Sequence, residues 1–167
     1  MSALTQACLK SILSYSPETG VFMWIVDRNS WCKKGNVAGS IQKNGYRRIR
    51  IMNRKYLAHR LAWFYVYGVW PKNDLDHRDT CRGNNWINNL RIATRGQNSM
   101  NRNKSSTSST GLKGVCWHKR VGKWMAQIAF NKKNLYLGYF STPKEASEAY
   151  EKKASELFGD FYRRSTA

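Results

Sequence analysis

The sequence is short of acid: only 10 Asp and Glu stand against 29 Lys and Arg in 167 residues, a net charge of +19. That is more charge of one sign than solubility requires, and it predicts a polyanionic partner. Long apolar runs are missing too. The longest uncharged stretch, Leu61 to Pro71, is eleven residues, whereas a bilayer span needs about 20. An integral membrane protein is therefore excluded, and no membrane partner is expected. Residues 1–9 lack the basic start and apolar core of a signal peptide, which predicts a cytoplasmic protein. Cys8, Cys32, Cys81 and Cys116 are scattered with no C-x-x-C pair, which points to free thiols and to no structural zinc. Aromatic residues, by contrast, are plentiful. With 7 Trp, 9 Tyr and 6 Phe in a chain that is 41% hydrophobic, this is no disordered basic tail.

The charges are segregated. Arg28 to Lys72 holds eleven basic residues and no acid, and Lys104 to Lys144 holds eight and none. A surface that tracks phosphates requires such acid-free blocks, because each carboxylate there would repel the backbone. A generally basic, solvated face is the blander alternative.

Residues 102–110, RNKSSTSST, form a low-complexity Ser/Thr stretch of linker type. Domains are expected at 1–103 and 111–167 with a linker at 104–110. Both parts are basic, +12 for residues 1–103 and +7 for 104–167. In the first part, Leu4 to Tyr15 reads as a helix and Val21 to Val26 as a strand. Tyr46 to Ile51 and Tyr56-Leu57 read as a hairpin with a basic tip at Asn53-Arg54-Lys55, and Ala58 to Tyr67 as a buried helix stopped by Gly68. Arg47, Arg48, Arg50, Arg54 and Lys55 are candidates to meet a nucleic-acid backbone. In the second part, strands are expected at Gly114 to His118, Lys123 to Phe130 and Leu135 to Phe140. A helix follows, with Thr142-Pro143-Lys144-Glu145 as its capping box and Gly159 as its stop. Alternation turns Trp124, Ala126 and Ile128 toward that helix and leaves Lys123, Met125, Gln127 and Ala129 on an open face. Trp117 and Trp124 read as core.

Chemistry concentrates at residues 74–103, where Asp76-His77 is followed by Asn89 and Asn98. Phosphodiester hydrolysis needs an activated water and a cation on the phosphate oxygens. His77 suits the general base. Asp76 and the amide oxygen of Asn98 are hard donors that suit Mg²⁺ (or Mn²⁺), a cation that prefers few protein ligands plus water and phosphate. His59 reads as packing or a phosphate contact, and Asp79 as loop surface.

Residues 74–103, with DH, NNLR and a helix bearing N-x-x-N, resemble the HNH nuclease motif of phage-encoded homing endonucleases. The preceding His59-Arg60-Leu61-Ala62-Trp63 and Gly68-Val69-Trp70-Pro71 resemble its leader. The resemblance implies an α+β chain with a ββα-metal core, whose hairpin is Leu75 to His77 and Leu90 to Thr94 and whose helix is Arg95 to Asn103. It also implies His77 as base, Asn89 as an orienting residue and Asp76 with Asn98 as metal ligands, in a phage protein acting inside a bacterial cell. Residues 110–161 resemble an AP2 DNA-binding domain, a three-stranded antiparallel sheet packed on one helix, through Gly114-Val115, Gly122-Lys123-Trp124 and Leu137-Gly138-Tyr139-Phe140. Cys116, Gln127, Ala129 and Tyr136 depart from the plant pattern, so no plant target sequence carries over. Lys113, His118, Arg120, Lys123, Gln127, Lys133 and Tyr136 are the expected DNA contacts, with Gln127 the candidate for a base edge. The implied function is a metal-dependent endonuclease on double-stranded DNA. One site per chain implies nicking by a monomer, and a dimer would be needed for a double-strand break. A binding protein with a non-catalytic nuclease domain and a low-specificity degradative nuclease are the rival readings.

Overall fold

The computed structural model describes residues 3–30, 32–100, 111–131 and 133–162, which fall into two compact units, Met1–Ala93 and Thr94–Ala167. The segment expected as linker, 104–110, lies outside the described residues.

The first unit opens with α1 (Gln6–Ile12), capped by the Thr5 hydroxyl, which accepts from Cys8 N. The helix expected to reach Tyr15 stops three residues earlier. Leu13–Tyr15 is β1, paired antiparallel with β2 (Phe22–Trp24). Leu13 and Tyr15 alternate into the core with Phe22 and Trp24, so burial of a two-residue period overrides helical propensity there. A short β3 (Ser40–Ile41), invisible in the sequence, borders β4 (Arg47–Ile51), which pairs with β5 (Arg54–Leu57). The hairpin tip is Met52-Asn53, with φ of 47° and 61°. That two-residue turn matches strand twist, and it moves Arg54 and Lys55 from the expected tip into β5. Ile49 and Ile51 are fully buried under α2 (Ala58–Tyr67), which ends on Gly68 at φ 72° as expected. Then β6 (Asp74–His77) pairs antiparallel with β7 (Leu90–Ala93). This is the expected hairpin.

The second unit begins with α3 (Arg95–Met100). Thr94 and Gln97 cap it reciprocally: Thr94 Oγ1 accepts from Gln97 N at 3.3 Å and Gln97 Oε1 accepts from Thr94 N at 2.9 Å. The three-stranded sheet β8 (Val115–His118), β9 (Lys123–Phe130), β10 (Lys133–Phe140) follows, with β9 central. Then comes α4 (Pro143–Phe158), with Thr142 Oγ1 accepting from Glu145 N. Glu145 Oε2 reaches back to Ser141 N rather than to the cap's own amide. Ala146, Tyr150 and Ala154 of α4 are buried with Ala126 and Ile128 of β9. The small side chains let the helix lie close to the sheet. Trp124 joins that core, but Trp117 stays 48% exposed at its rim, edge-on to Trp124 at 5.2 Å.

Gly114 sits at φ 67° with the Tyr150 ring and the Gln127 carbonyl where a Cβ would go. Gly114→Ala is therefore expected to destabilise the second unit by at least about 2 kcal/mol through overpacking, measured as a lower urea midpoint by circular dichroism. An unchanged midpoint would show that α4 is not seated on β8 this tightly.

Candidate functional site

His77 ends β6 with only 4% of its surface exposed. Pairing with Leu90 sends its side chain to one face of the β6–β7 ribbon, while Asp76 pairs with Arg91 on the other. Around the ring stand His59, edge-on at 5.1 Å, and Tyr46 at 6.0 Å. Arg82 lies 5.1 Å over the Tyr46 ring. His77 Nε2 is 3.3 Å from Asn85 Oδ1. Burial pushes the His77 pKa down, outweighing the Asn85 hydrogen bond and the carboxylates of Asp79 and Asp76. The ring is thus held neutral at neutral pH.

Asp79 and Asn89 are tied together. Asn89, buried on the 3-10 turn Ile87–Asn89, donates to Asp79 Oδ1 and Asn84 O, both at 2.9 Å, and accepts from Asp79 N at 3.0 Å. Burial pushes the Asp79 carboxyl up, but hydrogen bonds from Asn89, Asn84 and Cys81 N outweigh it, and its pKa lies below the ordinary value. Thr80 follows at φ 64°, an uncommon backbone for a β-branched residue. Asn89 therefore holds the loop that carries Asp79.

Asp76 Oδ2 accepts from Arg91 Nε at 2.9 Å and Nη2 at 2.8 Å, with both side chains under a tenth exposed. Both oxygens of this carboxylate, those of Asp79 and the amide oxygens of Asn side chains are hard donors. They suit a divalent hard cation and offer nothing to a thiolate-seeking metal. Asn98 is half-buried in the first turn of α3, its backbone N–H donating to Thr94 O at 2.9 Å, and belongs to the second unit.

His59 is 5% exposed, and its Nδ1 has no hydrogen-bond partner. Burial, His77 and Arg60 lower its pKa from 6.5 to about 3. Between those values the unfolded chain binds a proton that the folded one does not, so stability falls as pH drops below 6.5. His59 contributes up to about 1.4 kcal/mol per pH unit to that slope, and His77 acts with the same sign. The urea midpoint of wild type is expected to fall between pH 6.5 and 4.5, and to fall less in His59→Phe. A midpoint flat across that range would contradict a neutral His59.

The basic residues of β4 and β5 divide. Arg47 is a structural tie, its Nη1 donating to Ala38 O at 3.2 Å and Gly39 O at 2.9 Å. Arg48, Arg50 and Lys55 line a concave surface of about 330 Å³ with Trp24, Ser40 and Gln42, and no acid lines it. Arg54 is exposed beside the turn.

On the second unit, register puts His118 beside Lys123, Cys116 beside Met125, and Gln127 beside Tyr136 on the face away from α4. A bulge between Tyr136 and Gly138 returns Tyr139 to that same face, opposite Met125. His118, Tyr139 and Tyr136 form an aromatic row at spacings of 5.1 and 5.3 Å. Arg120 is exposed in the β8–β9 turn. Two expected contacts lie elsewhere: Lys113 Nζ sits 5.6 Å over the Tyr162 ring, and Lys133 pairs with Phe130 on the side of α4.

A family described as HNH endonuclease matches residues 56–100, from β5 to the end of α3. That segment is similar to the HNH endonucleases. Its β6–β7 hairpin holds the DH and NNLR segments of that motif, and α3 holds Asn98. The C-terminal region is homologous to AP2-type proteins. The AP2-like ethylene-responsive transcription factors CRL5 of Oryza sativa subsp. japonica and AIL5 of Arabidopsis thaliana are each 44% identical over 63 residues, 35% of this chain. Those 63 residues span only 10% and 11% of the two plant proteins. A solved structure of the HNH homing endonuclease I-HmuI, described as DNA binding and cleavage, is 21% identical with a TM-score of 0.43, covering 89% of this chain and 78% of that one. No helix among the described residues is long and apolar enough to cross a membrane.

Within the first unit, the fold brings His77, Asn85, His59 and Tyr46 together, ties Asp79 to Asn89, and joins Asp76 to Arg91. Sequence reasoning missed Asn85, Arg91 and Tyr139. Arg91 alone left a signal, as a charge inside the apolar strand Leu90-Arg91-Ile92-Ala93, which needs an acid partner when buried.

Proposed function

We propose that this protein is a metal-dependent endonuclease of the homing type that nicks double-stranded DNA. His77 takes the proton of the attacking water, Asp76 and, by the family motif, Asn98 hold the cation, and Asn89 positions the loop beside the base. The observation that carries the reading is a buried His77, held neutral at a strand end within the segment that matches the HNH endonucleases. A divalent cation bound there would neutralise charge on the phosphate and the leaving oxygen. Arg48, Arg50 and Lys55 hold the phosphate backbone on the HNH domain, with Arg47 supporting the strand beneath them. The face bearing His118, Lys123, Gln127 and Tyr136 binds DNA on the AP2-like unit, flanked by Arg120, Lys113 and Lys133. Residues 104–110 join the two.

The commitment of Asp76 Oδ2 to Arg91 favours a second reading, in which the HNH domain grips DNA without cutting. Supercoiled plasmid carrying the cognate genomic region, incubated with Mg²⁺ or with EDTA, separates the two. Open circle formed only with Mg²⁺ is the expected result. Linear product would indicate paired sites. Intact plasmid with retained binding would establish the second reading.

A further inference from the structure

We propose that Asn85 sets the tautomer of His77, protonating Nε2 and leaving Nδ1 as the nitrogen that takes the proton from water. The inference rests on His77 being the general base and adds a positioning residue to that reading.

The amide orientation comes from its other partner. Asn85 Nδ2 donates to Gly83 O at 3.1 Å, so Oδ1 is the atom that faces His77 Nε2 at 3.3 Å. An amide oxygen only accepts, and a lone pair on Nε2 would oppose it. The neutral ring must therefore carry its proton on Nε2. Turning the amide over would set its NH₂ against Nε2 and its oxygen against the Gly83 carbonyl, losing one hydrogen bond and creating a repulsion.

Asn85 itself cannot move aside. It is 1% exposed, and its backbone carbonyl accepts from Tyr15 Oη at 2.8 Å. Burial pushes the Tyr15 phenol well above its ordinary pKa, so it remains a donor. The β1–β2 turn closes against the same backbone: Gly20, at φ 70°, has Asn85 C and Trp86 N where a Cβ would stand. A surface turn would not need an asparagine buried to this degree. Here the hairpin of residues 13–24 clamps the residue that aims the His77 ring. Partners that orient metal-ligating histidines through the second nitrogen cost about 10- to 100-fold in activity when removed, and a loss on the same scale is expected for Asn85.

The test uses the full chain, ¹⁵N-labelled on its three histidines, in EDTA at a pH where the ring is neutral, with His77→Ala assigning the His77 signals. Wild type is expected to show a pyrrole-type Nε2 bearing a proton that exchanges slowly with water, and a pyridine-type Nδ1. In Asn85→Ala that proton should exchange into solvent, and kcat for plasmid nicking should fall about 10- to 100-fold with little change in KM. Asn85→Asp keeps the acceptor oxygen and loses the donor to Gly83, so it should recover the slow proton and most of kcat. A proton on Nδ1 in wild type, or Asn85→Asp as slow as Asn85→Ala, would overturn the assignment and leave Asn85 a loop-packing residue. If instead His77→Ala still nicks DNA, the general-base reading falls, while the ring spectrum decides the tautomer independently.

Discussion

His77→Ala is expected to nick supercoiled plasmid about 10²- to 10⁴-fold more slowly than wild type, while binding DNA within a few-fold of it. His77 is the one side chain of the β6–β7 ribbon that combines a neutral ring, near-complete burial and hydrogen-bonded orientation. Among the described residues, none beside it offers that combination. His59 is adjacent, but its pKa near 3 makes it too weak a base at neutral pH. Binding is expected to survive because the basic surfaces lie on β4, β5 and the open sheet of the AP2-like unit. Binding must be compared at one salt concentration, since phosphate contacts weaken steeply as salt rises. The His77 ring also packs on His59 and Tyr46. Binding and the urea midpoint lost together with cleavage would therefore make His77 a packing residue.

Asp76→Ala should destabilise the first unit by about 3–5 kcal/mol, because it leaves Arg91 buried and without its carboxylate. Loss of cleavage in that variant alone cannot be assigned to metal binding. The double variant Asp76→Leu, Arg91→Met resolves this. An apolar pair of similar volume replaces a buried ion pair at little cost, so the urea midpoint should return close to wild type while cleavage stays absent. A double variant that folds and still nicks would remove Asp76 from the metal-holding set. A single Asp76→Ala variant with an unchanged midpoint would show that the pair contributes little to the fold.

Periodicity revealed much of the architecture. The helix at Ala58 to Tyr67 with its Gly68 stop, the strand at Lys123 to Phe130 and the capped α4 all stand where a local pattern placed them. Those elements have one apolar stripe or face each, and the stripe is a property of consecutive residues. Failures came where a neighbour decided. Leu13 to Tyr15 left the helix because β2 was there to pair with. Arg54 and Lys55 left the tip because Met52-Asn53 closed a tighter turn. Tyr139 reached the open face because a single bulge reversed the alternation that would have hidden it.

By itself the sequence determined the charge, the segregation of its few acids, the DH and NNLR spacing, and the two patterned regions on either side of a Ser/Thr stretch. These depend on residue type and separation along the chain alone. Only the tertiary structure decided that Asp76 meets Arg91 across a strand pair, that Asn89 holds Asp79, and that Asn85 rather than another of the four nearby asparagines faces His77. The reason is physical. Which donor meets which acceptor, and which imidazole is dried enough to stay neutral, depends on the distances and burial that strand register and turn geometry impose. Identical residue types in one loop carry no label for them.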